Sequence, residues 1–176
     1  MSIETGVKDQ FKDPEWGAKT LGQVSLFKNF THQELKELYL QGRFEVLKPQ
    51  VAAVIEGEPT RGLYIILEGT LSVFKTDPEK GSFSRLAVLE SGSHFGEMSL
   101  FDASPRSATV TAESTCQCFV LEARIFTAFL ESRGDNLQLR FYKTCAEELV
   151  DRFRKLNNDY INSQSMLWRY AFRESN

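Results

Sequence analysis

Between Phe44 and Leu121 the chain is written as short apolar runs broken at close intervals by glycine, proline and charged turns. Phe44 to Leu47 runs up to Pro49, and Val51 to Ile55 is closed by Glu56-Gly57-Glu58-Pro59. Leu63 to Leu67 ends at Glu68-Gly69, and Leu71, Val73 and Lys75 then alternate with Thr70, Ser72 and Phe74. A polar loop, Asp77 to Ser82, leads back into Phe83 to Leu89, and Ser91-Gly92-Ser93 turns the chain again. Val110 and Cys116 to Leu121 supply two further strands. These are short strands at close intervals, punctuated by glycine and proline. They predict a β-barrel or jelly-roll.

Helical signals flank this region on both sides. Residues 1 to 20 are polar, with Pro14 and Trp16, and read as a loose arm or one short helix. Thr31 with Glu34 three residues on forms a capping box, which predicts a helix over 32–41 ended by Gly42. After Leu121 the strand pattern stops. Ile125, Phe126, Phe129 and Leu130 lie on one helical face, and Arg133-Gly134 ends that helix. A long helix follows from about Asp135. Along it Tyr142, Ala146, Leu149, Phe153, Leu156 and Tyr160 form a heptad-like stripe. The stripe has two readings, a face packed on the barrel or a homodimer seam. The organisation expected is an arm over 1–20, a body over 21–160 and a tail over 161–176. The tail holds Met166, Leu167, Trp168, Tyr170 and Phe172 and is expected to dock on something. The fold class is therefore mainly β with flanking α.

Composition narrows the function. A formal charge of −3 and a pI near 5.5 argue against a broad nucleic-acid footprint, which needs a basic surface. No apolar run approaches the ~20 residues that span a membrane, and the N-terminus lacks an apolar signal core. A cytoplasmic protein with reduced thiols is expected. Cys116, Cys118 and Cys145 are too few for a disulfide framework, and His32 and His94 are not spaced with them as metal ligands. With no nucleophile–base pair either, an enzyme is not expected.

The chemistry concentrates between Phe95 and Ala112, F-G-E-M-S-L-F-D-A-S-P-R-S-A-T-V-T-A. Gly96 lets a ligand approach the backbone closely. If Glu97 to Phe101 forms a helical turn, its first N–H groups are unpaired and face any anion placed there. Arg106 offers a fork that matches phosphate oxygens bidentately. Glu97 repels phosphate, so its task is to accept from a hydroxyl or to orient Arg106. Ala108, Val110 and Ala112 then alternate with Thr109 and Thr111 as a half-buried strand. A ligand with one phosphate and a neighbouring sugar hydroxyl satisfies both charged residues. A buried structural Glu–Arg bridge is the competing reading.

This cassette, with Leu63-Tyr64-Ile65-Ile66-Leu67-Glu68-Gly69-Thr70-Leu71-Ser72-Val73 before it, closely resembles the cyclic nucleotide-binding domain family. The regulatory subunit of cAMP-dependent protein kinase and bacterial cAMP receptor proteins are members. The resemblance covers roughly residues 20 to 160. It implies a jelly-roll β-barrel with short N-terminal helices and two C-terminal helices, the last one long. It implies that Arg106 pairs with the cyclic phosphate and Glu97 with the ribose 2′-hydroxyl, and that main-chain amides near Gly96, Met98, Ser99 and Ser107 complete the cradle. Val73 and Leu86 would pack on the base, and Asn157 or Asn158 would reach its edge. Ser107 stands where cGMP-selective members often carry threonine, which favours cAMP over cGMP. Pro49-Gln50 departs from the family, which has a glycine before the second strand.

The expected output is that of a stand-alone cyclic nucleotide sensor. Ligand binding would move the flanking helices and change a contact with an unnamed protein partner or across a dimer seam. An interaction scaffold without ligand is the alternative. A DNA-binding regulator is a weaker one, since the sixteen residues after Tyr160 are too few for a helix-turn-helix. Trp168 or Tyr170 is a candidate lid over the base.

Overall fold

A computed structural model describes residues 7–59, 62–77, 79, 81–100 and 104–173, without the side chains of 167 and 169–173. The segment before the barrel is helical and packed. A short 3-10 turn, Asp9–Lys12, leads to α1, Pro14–Leu21, whose N-cap Asp13 accepts from the Glu15 amide. Proline opens α1 where no hydrogen bond is lost. A second 3-10 turn, Ser25–Phe27, precedes α2, His32–Tyr39, where Thr31 and Glu34 form the capping box. Residues 1–6 of the expected arm lie outside the described residues; over the rest, of the two forms expected, arm or helix, the structure has the helix. Its Gly17 lies flat against the ring of Tyr39, so close that a Cβ there would fall under 3.0 Å from it. The Tyr39 hydroxyl donates to the Phe11 carbonyl at 2.6 Å.

Eight strands follow: β1 Arg43–Leu47, β2 Ala52–Val54, β3 Leu63–Glu68, β4 Leu71–Thr76, β5 Phe83–Leu89, β6 His94–Phe95, β7 Thr109–Ala112 and β8 Cys116–Leu121. They form two antiparallel four-stranded sheets, ordered β1-β8-β3-β6 and β2-β7-β4-β5. This is a jelly-roll β-sandwich. Of the polar loop between β4 and β5, Pro78 and Lys80 lie outside the described residues.

Burial on both faces explains why β3 and β8 read as unbroken apolar runs. Alternate residues serve different cores. Tyr64, Ile66, Cys116, Cys118 and Val120 face the space between the sheets with Leu71, Phe95, Val110 and Ala112. Leu63, Ile65, Leu67, Phe119 and Leu121 face the helices with Leu21, Phe27, Leu38, Phe126 and Phe141. The three cysteines are free and buried. Burial pushes the thiols of Cys118 and Cys145 up to about 12. Such thiols stay protonated and pack as small apolar groups.

The Pro49-Gln50 corner is built by strain at one residue. Gln50 takes a φ of 66°, the left-handed region that a glycine would occupy without penalty. Its amide donates to the Ala112 carbonyl at 2.8 Å, which fixes the corner against β7.

Two helices close the chain, α3 Ala123–Ser132 and α4 Asp135–Arg173, the latter 39 residues long. Leu137, Phe141, Thr144 and Cys145 bury one face of α4. Arg140 donates to Glu34 at 2.6 Å, Asn29 to Thr144 at 2.8 Å, and Lys28 pairs with Glu147 at 2.9 Å. The heptad stripe is largely exposed among the described residues. Tyr142, Leu149, Phe153, Leu156 and Tyr160 are each 50% to 65% exposed, because the 100° turn per residue places them away from the packed face. α4 runs on into the tail as far as Arg173, with Met166 and Trp168 both 62% exposed, and residues 174–176 lie outside the described residues. The side chains of Leu167, Tyr170 and Phe172 lie outside the described residues.

Candidate functional site

Two segments face each other where the sheets meet. One follows β6, His94–Phe95, and becomes a 3-10 turn over Glu97–Leu100. The other, Ser104 to Ala108, runs into β7. Between them is a cavity of about 170 Å³, floored by Val54, Val73 and Val110. The Gly57 amide donates to the Arg106 carbonyl at 2.8 Å, and the Arg106 amide to the Glu58 carbonyl at 2.9 Å. On the opposite wall the Ser99 amide and hydroxyl both donate to the Gly96 carbonyl, at 3.2 and 2.5 Å. The residues between the two walls, Phe101 to Ala103, lie outside the described set, so the helical turn expected to Phe101 is seen only to Leu100.

Arg106 sits deep in this cavity, only 7% exposed. One guanidinium nitrogen, Nη2, donates to the Gly62 carbonyl at 2.8 Å. The group also lies 5.8 Å from the centroid of the Tyr64 ring, which stacks on Phe95 at 4.8 Å. Gly96 explains how so large a head fits. Its φ of 83° is in the left-handed region, and a Cβ there would fall under 3.0 Å from Arg106 Nη1 and from the Gly62 carbonyl. The glycine is needed to admit the arginine. A buried guanidinium in a cleft remains a strong attractor for an anion with two oxygens to offer.

Glu97 pairs with Arg152, midway along α4, and no bridge between Glu97 and Arg106 is present among the described residues. Burial raises the Glu97 carboxyl, but the hydrogen bond and charge of Arg152 outweigh it and hold the group below the usual carboxylate range. Glu97 is therefore ionised and acceptor-only, able to receive a hydroxyl. His94 lies in the same field. Burial pulls its imidazole below 6.5, against the upward pull of Glu97 and Glu148. The cavity thus presents one arginine to an anion and one carboxylate to a neutral donor. Among the described residues no group of three His, Cys, Asp or Glu could hold a metal ion.

Of the residues expected at a ligand site, Gly96, Glu97, Met98, Ser99, Arg106, Ser107 and Val73 all line this cavity. Leu86 and Asn157 do not. A bulge in β5 accounts for Leu86: Val73 pairs with Ala87 and Phe74 with Arg85, so Leu86 is the extra residue and stands 59% exposed. Asn157 is exposed on α4, beside Phe153 and Leu156. Trp168 is further along the same helix and does not line the cavity. Arg152 was not expected from sequence. The signal for it was indirect, a buried carboxylate that needs a countercharge.

The site is a jelly-roll cleft that holds a buried arginine and an ionised carboxylate, a donor set that suits an anion with a hydroxyl beside it. Residues 44–133, just over half of the chain, match the family model of the cyclic nucleotide-binding domain. The chain is 29% identical over 140 residues to the human potassium/sodium hyperpolarization-activated cyclic nucleotide-gated channel 4. That match covers 80% of this chain and 11% of the channel, so the chain spans about a tenth of such a relative. Among solved structures, it resembles the N-terminal domain of a transcriptional regulator from Streptomyces coelicolor, at 27% identity and a TM-score of 0.69. There 76% of this chain and 94% of the regulator domain are covered. The fold is shared with the Toxoplasma gondii PKA regulatory domain solved with cAMP, at 24% identity, a TM-score of 0.65 and coverage of 77% and 51%. The chain belongs to the cyclic nucleotide-binding domain family. It resembles regulatory and sensor domains of that family and not catalytic ones.

Proposed function

We propose that this chain is a stand-alone cyclic nucleotide sensor that binds cAMP in preference to cGMP. The observation that carries the reading is the buried guanidinium of Arg106, 7% exposed, in a cavity shared with an ionised Glu97 and the main chain of Gly96 to Ser99. Arg106 takes the cyclic phosphate and Glu97 the ribose 2′-hydroxyl. Backbone amides near Gly96, Met98, Ser99 and Ser107 complete the cradle, and Val73 meets the base. Leu86 and Asn157 reach the base only if the β4–β5 hairpin and α4 move toward the ligand. The ligand can shift such an equilibrium only by its difference in affinity for the two arrangements.

The preference for cAMP rests on Ser107, which lines the cavity. Calorimetric titration of the protein with each nucleotide tests it. Tighter binding of cAMP supports the preference, and tighter cGMP overturns it. Heat with neither nucleotide favours the ligand-free scaffold.

A second reading concerns assembly. The exposed stripe from Tyr142 to Tyr160 supports a homodimer through α4, since spacings of three and four keep one apolar seam facing a partner helix. In this reading the nucleotide acts through α4 on the seam or on a protein partner. The protein works in the cytoplasm, without nucleic acid or membrane. Among the described residues no helix is long and apolar enough to cross a membrane.

A further inference from the structure

The main chain that carries Arg106 is fastened on its far side by two charged residues that do not line the cavity. Lys75, near the end of β4, donates from Nζ to the Ser107 carbonyl at 2.6 Å. The same nitrogen is held by Glu56 Oε1 at 3.0 Å. Glu56 uses its other oxygen to accept from the Thr76 amide at 3.0 Å, and its own amide donates to Thr109 Oγ1 at 3.0 Å. The turn after β2 thus grips the strand on both sides of Ser107, while Gly57 and Glu58 bond to Arg106 itself. Four of these bonds end within three residues of the arginine, at Ser107, at Thr109 and at the Arg106 amide and carbonyl.

We propose that Glu56 and Lys75 are a positioning pair, which sets the Arg106–Ser107 main chain so that the guanidinium meets the nucleotide phosphate. The inference rests on the cyclic nucleotide reading of the cavity. The pair is poorly placed to stabilise the fold, because the Lys75 side chain is 48% exposed and that of Glu56 26%. Exposed ion pairs contribute little to stability. Their effect falls on geometry, where a buried bidentate contact loses strength steeply as its donor shifts.

Plain electrostatics makes the opposite forecast at one position, which separates the two accounts. Glu56→Gln removes a negative charge near the phosphate site, so a purely electrostatic role predicts tighter binding. The positioning role predicts weaker binding, since a glutamine amide can still accept from Thr76 but no longer anchors the Lys75 charge.

The test is calorimetric titration of wild type, Glu56→Gln, Lys75→Met, Lys75→Arg and the Glu56→Gln/Lys75→Met double variant with cAMP. Thermal unfolding without nucleotide is recorded for each. Expected are about tenfold weaker binding for Lys75→Met, a loss of the same sign for Glu56→Gln, and a double variant no worse than Lys75→Met alone. Lys75→Arg recovers most of the affinity, and unliganded melting temperatures stay within a few degrees of wild type. Affinity at or above wild type for Glu56→Gln, or unchanged for Lys75→Met, overturns the positioning role while leaving the nucleotide reading intact. An affinity loss matched by a collapse of the unliganded melting temperature also overturns it, in favour of a structural role. Wild-type protein that binds neither cAMP nor cGMP overturns both readings.

Discussion

Arg152 on α4 and Glu97 on the cavity wall are ion-paired across 55 residues of sequence. The residue that would accept the ribose hydroxyl is therefore also the residue that holds the middle of the long helix. Beyond Cys145 the helix has no buried residue among those described, and this tie is its last ion pair to the barrel among the described residues. Arg152→Met is expected to raise amide hydrogen exchange over residues 149–160 without ligand and to erase the nucleotide-dependent change there. Unaltered exchange in both states contradicts the tie.

Gly96 offers a sharper structural test. A methyl group at this position meets Arg106 Nη1 and the Gly62 carbonyl, and the left-handed φ of 83° adds strain of about 1–2 kcal/mol. Gly96→Ala should lower the melting temperature by several degrees and weaken nucleotide binding about as much as loss of the arginine does. The measurement is a thermal melt paired with a titration.

Acid sensitivity should start at His94. Its folded pKa is depressed by burial, so the folded state binds fewer protons than the unfolded chain. The contribution is fully present above the unfolded value of 6.5 and is lost as pH falls below it. The charged groups facing it are Glu97, Glu148 and Arg152. The lowered pKa of Glu97 has the same sign and adds a further loss at lower pH. Denaturant unfolding at pH 7.5 and 5.5 should show lower stability at the acid end, and His94→Phe should reduce that difference.

The stripe on α4 makes a prediction about assembly. Phe153→Glu places a charge at the centre of the seam, opposite the same charge on a second copy. Sedimentation should find wild type dimeric at micromolar concentration and the variant monomeric, with nucleotide affinity little changed. A monomeric wild type, with and without nucleotide, contradicts the seam.

Much of this architecture was legible in the sequence because local chemistry decides it. Thr31 and Glu34 announce α2 through a capping box that needs nothing beyond four residues. The cassette is likewise local, and Gly96 to Ser99 and Arg106 to Ser107 do meet in one cavity. What was not legible depends on partners distant in sequence. β6 is only His94–Phe95, too short to show a period, and exists because β3 pairs with it. The alternation of β5 includes Leu86, but a bulge takes it off the cavity, and a bulge leaves no pattern in a single strand. The heptad stripe is apolar in sequence, yet nothing in its spacing says which face of α4 the barrel takes. Tyr142 to Tyr160 is the other face. Arg152 and Lys75 are unremarked charged residues in sequence, and only the folded chain brings one to Glu97 and the other to the Ser107 carbonyl.

Calorimetric titration of wild type and Arg106→Ala with cAMP tests the central claim most directly. The account predicts one site per chain with micromolar or tighter affinity for wild type. For the variant it predicts a loss of about a hundredfold, the scale of a charge-assisted bidentate contact. No binding by the folded wild type, or equal binding by Arg106→Ala, would contradict it.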